Sequence, residues 1–202
     1  MLFNSVANNS LCILNKLSKI YHKSSSTDLA HQSLNCYNSL GLKEAGTMQK
    51  VESIIIGGGP CGLSAAIEQK RKGIDTLIIE KGNVVESIYN YPTHQTFFSS
   101  SDKLSIGDVP FIVEESKPRR NQALVYYREV VKHHQLKVNA FEEVLTVKKM
   151  NNKFTITTTK DVYECRFLTI ATGYYGQHNT LEVEGADLPK VFHYFKEAHP
   201  YF

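Results

Sequence analysis

Three glycines spaced as G-x-G-x-x-G, Gly57, Gly59 and Gly62, are followed some way on by an acidic residue, Glu80. Together they could grip a dinucleotide. Each glycine has its own reason to be there. Gly57 permits the tight turn out of a strand, where a Cβ would be strained. Gly59 lets the backbone come close to a pyrophosphate, and Gly62 lets the following helix pack on the strands. Gly58, Pro60 and Cys61 complete the turn. The pyrophosphate would rest on unpaired amides at the positive end of a helix dipole. Pro60 loses nothing there by lacking an amide hydrogen. Glu80 would accept hydrogen bonds from ribose hydroxyls, and Lys81 beside it is counted with the site.

The elements needed to position these residues are legible around them. A β-branched strand beginning at Val51 runs straight into the glycines, and a helical pattern with Leu63, Ala65, Ala66 and Ile67 follows. Thr76 to Glu80 is nearly all apolar, as a parallel strand covered on both faces should be. No second and third βα unit of the plain nucleotide-domain kind is expected after Glu80. An irregular stretch, Val84 to Phe111, carries Tyr89, Tyr91, Phe97, Phe98 and Phe111. Its aromatics suit either a wall beside a cofactor or ordinary core packing. A helix is predicted after Pro118, with Leu124, Tyr127, Val130, Val131 and His134 on one side. Short strands are predicted at Leu136–Val138 and Val144–Lys148. Phe154–Thr159 and Val162–Ile170 flank Lys160-Asp161 and read as a β-hairpin whose second arm runs into Ala171-Thr172-Gly173.

That order of parts resembles the two-dinucleotide-binding-domain flavoproteins, the superfamily of thioredoxin-reductase-like enzymes, disulfide reductases and flavin monooxygenases. The resemblance implies an α/β fold: a Rossmann-like FAD-binding domain with a parallel sheet plus an inserted antiparallel β-hairpin. It also implies that Ala171, Thr172 and Gly173 return the chain beside the flavin and that Val144 offers backbone groups to the adenine. From Met48 onward the chain further resembles bacillithiol disulfide reductases of the YpdA type. The shared pieces are Gly57-Gly58-Gly59-Pro60-Cys61-Gly62-Leu63, Tyr91-Pro92-Thr93, Ile106-Gly107-Asp108-Val109-Pro110-Phe111, Tyr126-Tyr127-Arg128, Ala171-Thr172-Gly173-Tyr174-Tyr175 and Gly185-Ala186-Asp187-Leu188-Pro189. Membership would imply FAD as cofactor, NADPH as hydride donor and a small-molecule thiol disulfide as substrate. A flavin-dependent monooxygenase is the alternative within the superfamily, and a non-catalytic FAD-binding fragment of a split or decayed gene is the alternative outside it.

Measured against that family, a second, NADPH-binding Rossmann domain with its own fingerprint is expected to be missing, so the sequence reads as a truncated form. Residues 1–47 are read as a non-native or disordered leader and 48–202 as the FAD-binding domain. The leader is Ser/Asn-rich, and its apolar cluster Leu11-Cys12-Ile13-Leu14 is too short for a secretory signal or a membrane span. A transit peptide is disfavoured by its lack of arginine. Lys43-Glu44-Ala45 can be encoded by a purine-rich ribosome-binding sequence ahead of Met48, which would make Met48 the true start.

The cysteines are Cys12, Cys36, Cys61 and Cys165, with no C-x-x-C among them. Cys165 alternates with Tyr163 and Phe167 and reads as a small buried residue. Cys61 stands at a helix amino terminus, where the dipole favours thiolate. It is either a redox centre, as the resemblance implies, or a small side chain tolerated beside the pyrophosphate. No cysteine framework is visible, so a reducing cytoplasm is the expected compartment. A net charge of +3 gives no argument for nucleic acid, no membrane partner is expected, and the histidines show no metal-ligand spacing. Lys117, Arg119 and Arg120 suit a solvated loop better than an anion contact. A homo-oligomer is compatible with the superfamily.

Overall fold

The computed structural model describes residues 48–176 and 179–201, so the leader reading for 1–47 lies outside the described residues. The strands Gln49–Ile56 (β1) and Thr76–Ile79 (β2) pair in parallel, Ile54 beside Leu77 and Ile55 beside Ile78. Ile54 and Ile55 are both fully buried, and adjacent strand residues point to opposite faces. The end of β1 is therefore covered on both sides, as its apolar run Ile54-Ile55-Ile56 requires. Pro60–Arg71 forms the connecting helix α1, whose Leu63, Ala66 and Ile67 face the sheet. Burying side chains such as Leu63 and Ile67 contributes about 1.5–3 kcal/mol each.

One sequence expectation needs correction. Lys137–Asn139 (β3) pairs in parallel with β2, Val138 beside Ile78. A second parallel crossover therefore does follow Glu80. It was hidden because its connection is long and irregular, holding only the single-turn helices Glu86–Tyr89 (α2) and Ser101–Leu104 (α3) before the long helix Arg120–His133 (α4). α4 buries Ala123, Tyr126, Tyr127 and Val130, an i, i+3, i+4, i+7 stripe. Its carboxy end is capped from α1: Lys70 Nζ donates to the carbonyls of His134 (2.6 Å) and Gln135 (3.0 Å).

The remaining strands are Val144–Met150 (β4), Lys153–Thr158 (β5) and Val162–Ile170 (β6), and the sheet order is β3-β2-β1-β6-β5-β4. β6 pairs in parallel with β1 along most of its length and antiparallel with β5 near its start. It thus joins the parallel and antiparallel parts. The predicted β5–β6 hairpin is present, and a second hairpin, β4–β5, precedes it. Its two-residue turn is Asn151-Asn152, with φ of 47° and 61°. Both residues are left-handed, as a twisted hairpin demands, and asparagine tolerates that conformation better than most residues.

The aromatic stretch supplies core packing only in part. Phe111 is buried and stacks on Tyr126 at 4.1 Å between ring centres, whereas Phe98 is 89% exposed. The Tyr126 hydroxyl accepts from the Ile106 amide (2.8 Å) and contacts the Val109 carbonyl (2.8 Å), pinning the loop to α4. Arg119 pairs with Glu115, and Arg120 donates to the Tyr89 carbonyl. These cations hold loops to the helix.

Candidate dinucleotide site

The end of β1, the start of α1 and the end of β6 meet at the glycine turn. Gly57 (φ 110°) lies so close to Ala171 that a Cβ there would overlap the Ala171 carbonyl. Gly62 lies equally close to the Gly57 carbonyl. The Ala171 amide donates to Ile56 O at 2.8 Å, so Ala171-Thr172-Gly173 is joined to the turn by the strand ladder itself.

Gly59 differs from both. A Cβ there would meet nothing within 4 Å, and the same holds at Gly173 (φ 67°). At Gly59 neither packing nor a positive φ demands glycine, so the open space above it is the natural place for something that approaches the backbone. Gly59 is also the amino-terminal cap of α1, and no side chain caps that end. The first-turn amides are left for an external acceptor. An open cradle over uncapped amides fits the pyrophosphate of a dinucleotide.

A cavity of about 310 Å³ lies beside this turn. Of the residues singled out from sequence, Gly57, Glu80, Lys81, Val144, Thr172 and Gly173 line it. Gly58 is next to it through Glu80: the Gly58 amide donates to Glu80 Oε2 at 2.6 Å, and the Gly82 amide donates to Oε1 at 2.9 Å. Glu80 is 8% exposed, so this carboxylate braces the glycine turn as well as facing the cavity.

Pro60 and Cys61 are not part of that cavity. They line a separate, open groove of about 520 Å³ with Ser64, Lys103, Leu104 and Tyr127. Cys61 is exposed, and Cys165 is buried in the sheet, where burial pushes its thiol pKa up. Tyr127 is held by a bond to the Leu104 carbonyl (3.1 Å), and burial raises its hydroxyl far above the ordinary tyrosine range. Among the described residues no cluster of His, Cys, Asp and Glu is placed to hold a metal, and no helix is long and apolar enough to cross a membrane.

Sequence reasoning missed Glu142, which lines the cavity although it is only 2% exposed. Its Oε1 accepts from Thr158 Oγ1 (2.6 Å) and from the Tyr163 hydroxyl (2.8 Å), and Asn139 Nδ2 donates to that hydroxyl (2.9 Å). Burial first, and then the Glu142 carboxylate, push the Tyr163 hydroxyl up to about 12. Backbone bonds tie the same loop to Glu80, from Glu80 N to Asn139 O and from Glu142 N to Glu80 O (both 2.9 Å). The available signal was position: Glu142-Glu143 stands directly before the predicted strand at Val144.

The family model for pyridine nucleotide-disulphide oxidoreductases matches residues 54–202. The chain is 66% identical over 156 residues to bacilliredoxin reductase Bdr of Bacillus subtilis (strain 168), covering 77% of the chain and 48% of that relative. The solved bacillithiol disulfide reductase Bdr (YpdA) from Bacillus cereus is 58% identical with a TM-score of 0.74, covering 76% of this chain and 49% of that one. A flavin-containing monooxygenase from Stenotrophomonas maltophilia, 24% identical with a TM-score of 0.61 over 67% of this chain and 42% of its own, shares the fold. The chain spans about half the length of the curated relatives it matches.

Proposed function

The chain belongs to the pyridine nucleotide-disulphide oxidoreductase family, and on that premise we propose that residues 48–202 are the FAD-binding domain of an NADPH-using reductase. Its substrate is the disulfide of a low-molecular-weight thiol, of the bacillithiol type that the Bacillus cereus relative is named for. The observation that carries the reading is the docking of Ala171-Thr172-Gly173 on the glycine turn, beside a cavity that Glu80 and Val144 line. NADPH would be bound by a separate domain.

Bound FAD supplies the two-electron chemistry, taking hydride and passing electrons to a disulfide. The residues of this chain hold and orient it. The amides of Gly59, Cys61 and Gly62 would receive the pyrophosphate, those of Gly57 and Gly58 being taken by the Ile79 carbonyl and Glu80, with the α1 dipole adding attraction. Glu80 receives ribose hydroxyls while holding the turn through Gly58. Lys81 adds a cation at the same wall, and Val144 offers backbone groups to the base. Gly173 leaves open space where the chain returns, and Thr172 lines the cavity wall beside it. Cys61 lies on the far groove, exposed at the start of α1, and is the candidate thiol for exchange with the substrate disulfide. The setting is the cytoplasm, where thiols stay reduced, and copies of the chain associate as homo-oligomers.

The test is the visible absorbance of the purified chain after gel filtration, beside the Gly59→Trp variant. A flavin spectrum in the wild type that the indole abolishes, with both proteins folded by circular dichroism, supports the reading. Folded protein that stays colourless after incubation with FAD overturns it.

A further inference from the structure

Glu142 carries a feature that the cofactor reading leaves unused. It is a carboxylate side chain 2% exposed, on the wall of the dinucleotide cavity, with both of its hydrogen bonds on one oxygen. Among the described residues none donates to the other oxygen, Oε2. Ser53 Oγ is the one fully enclosed, unpartnered side-chain atom among the described residues, so Oε2 opens on the cavity. A carboxylate oxygen that reaches a cavity from an otherwise buried side chain is placed to accept from a ligand donor.

The donor is identified by what the neighbours already do. Asn139 donates to the Tyr163 hydroxyl, which leaves the tyrosine its single proton for Glu142 Oε1. The carboxylate is thereby fixed on the cavity wall beside Glu143 and Val144, at the start of β4. Glu80, at the end of β2, takes the ribose. The remaining donor on the adenosine half is the exocyclic 6-amine of the base. We propose that Glu142 is the base-selecting residue of the site: Oε2 accepts from the adenine 6-amine and disfavours a purine with a 6-carbonyl, which would set oxygen against oxygen. This rests on the dinucleotide reading above.

The chemistry makes a directional forecast. In Glu142→Gln the amide oxygen takes over the two bonds from Thr158 and Tyr163, which turns Nε2 toward the cavity as a donor. A donor there matches a 6-carbonyl and opposes a 6-amine. The full chain is titrated calorimetrically with ADP, IDP and 2′-deoxy-ADP, as wild type and as Glu142→Gln, with thermal melts to establish that both fold. The wild type binds ADP at least about tenfold more tightly than IDP, in keeping with a charge-assisted hydrogen bond, and Glu142→Gln reverses that order. A merely structural role for Glu142 would weaken both nucleotides together and leave their ratio alone.

Equal affinity of the wild type for ADP and IDP overturns base selection while leaving the cofactor reading standing, and this comparison needs no variant to fold. Discrimination that survives unchanged in Glu142→Gln overturns it too. If removal of the 2′-hydroxyl, and not replacement of the amine, is what costs affinity and Glu142→Gln removes that difference, the oxygen serves the ribose and the assignment falls. No binding of either ADP or FAD by folded protein overturns the dinucleotide reading and this contact with it.

Discussion

The Gly58 amide and the Glu80 carboxylate are joined by a buried 2.6 Å hydrogen bond, which ties the glycine turn at the end of β1 to the end of β2. Two roles therefore meet in one side chain, bracing the turn and facing the cavity. Replacing Glu80 by Gln puts an amide N–H where an acceptor is needed for at least one of the Gly58 and Gly82 donors. Glu80→Gln is expected to lose about 1–3 kcal/mol of stability and to lose FAD affinity. Urea unfolding and flavin retention on gel filtration check both parts. A variant as stable as wild type would show that the Gly58 bond contributes nothing net.

The fingerprint glycines are chemically identical and should behave differently. A Cβ at Gly62 overlaps the Gly57 carbonyl, which is backbone and cannot step aside. Gly62→Ala should shift α1 against β1 and destabilise the fold by about 1–3 kcal/mol or more, as overpacking does. A Cβ at Gly59 meets only open space. Gly59→Ala should melt within a few degrees of wild type yet bind FAD more weakly, because its methyl occupies the approach to the pyrophosphate. Similar melting losses in the two variants would refute the division of labour.

The part of the site closest to the glycines was legible because its physics is local. Strand, turn, helix start and the acid after β2 are neighbours in sequence, each with a residue requirement of its own. Val144, Ala171, Thr172 and Gly173 were placed only through family resemblance, since nothing in their spacing brings them to Gly57. The ladder between β1 and β6 does that for Ala171 to Gly173, with a register set by pairings more than 100 residues apart in sequence, and Val144 is brought in through β5. The helix after Pro118 and the strand at Leu136–Val138 were legible, but not that they close a parallel crossover onto β2, because a long irregular stretch separates them from Glu80. Glu142 was invisible because a lone glutamate is normally a surface residue. Only the convergence of Thr158 and Tyr163 from other strands makes its burial tolerable.

Ser53 offers a gain. It is completely buried in β1, and its hydroxyl has no hydrogen-bond partner. The folded state bears the cost of desolvating that hydroxyl with nothing in return. Ser53→Ala removes the hydroxyl and leaves little empty space, so stability should rise by about 1 kcal/mol. The urea midpoint should increase with an unchanged slope. A lower midpoint would mean that the hydroxyl is satisfied in solution, for instance by a buried water.

Tyr163 sets an alkaline limit on stability. Its hydroxyl is pushed up to about 12 in the folded chain, first by burial and then by its bond to Glu142, against about 10 when unfolded. Below pH 10 both states hold the proton and the full contribution is present. Between pH 10 and 12 the unfolded chain releases the proton while the folded chain keeps it, so unfolding is increasingly favoured as pH rises. The integrated loss over that window is on the order of 2–3 kcal/mol. Tyr163→Phe should be less stable than wild type at neutral pH, since Asn139 and Glu142 each lose a partner. It should also lose less stability than wild type from pH 9 to 12, narrowing the gap between them. Tyr127, whose hydroxyl is also raised by burial, continues to depress both proteins at the upper end. Urea midpoints of the two proteins across that range measure the difference directly. Parallel pH profiles would show that the Tyr163 proton is not held by the fold.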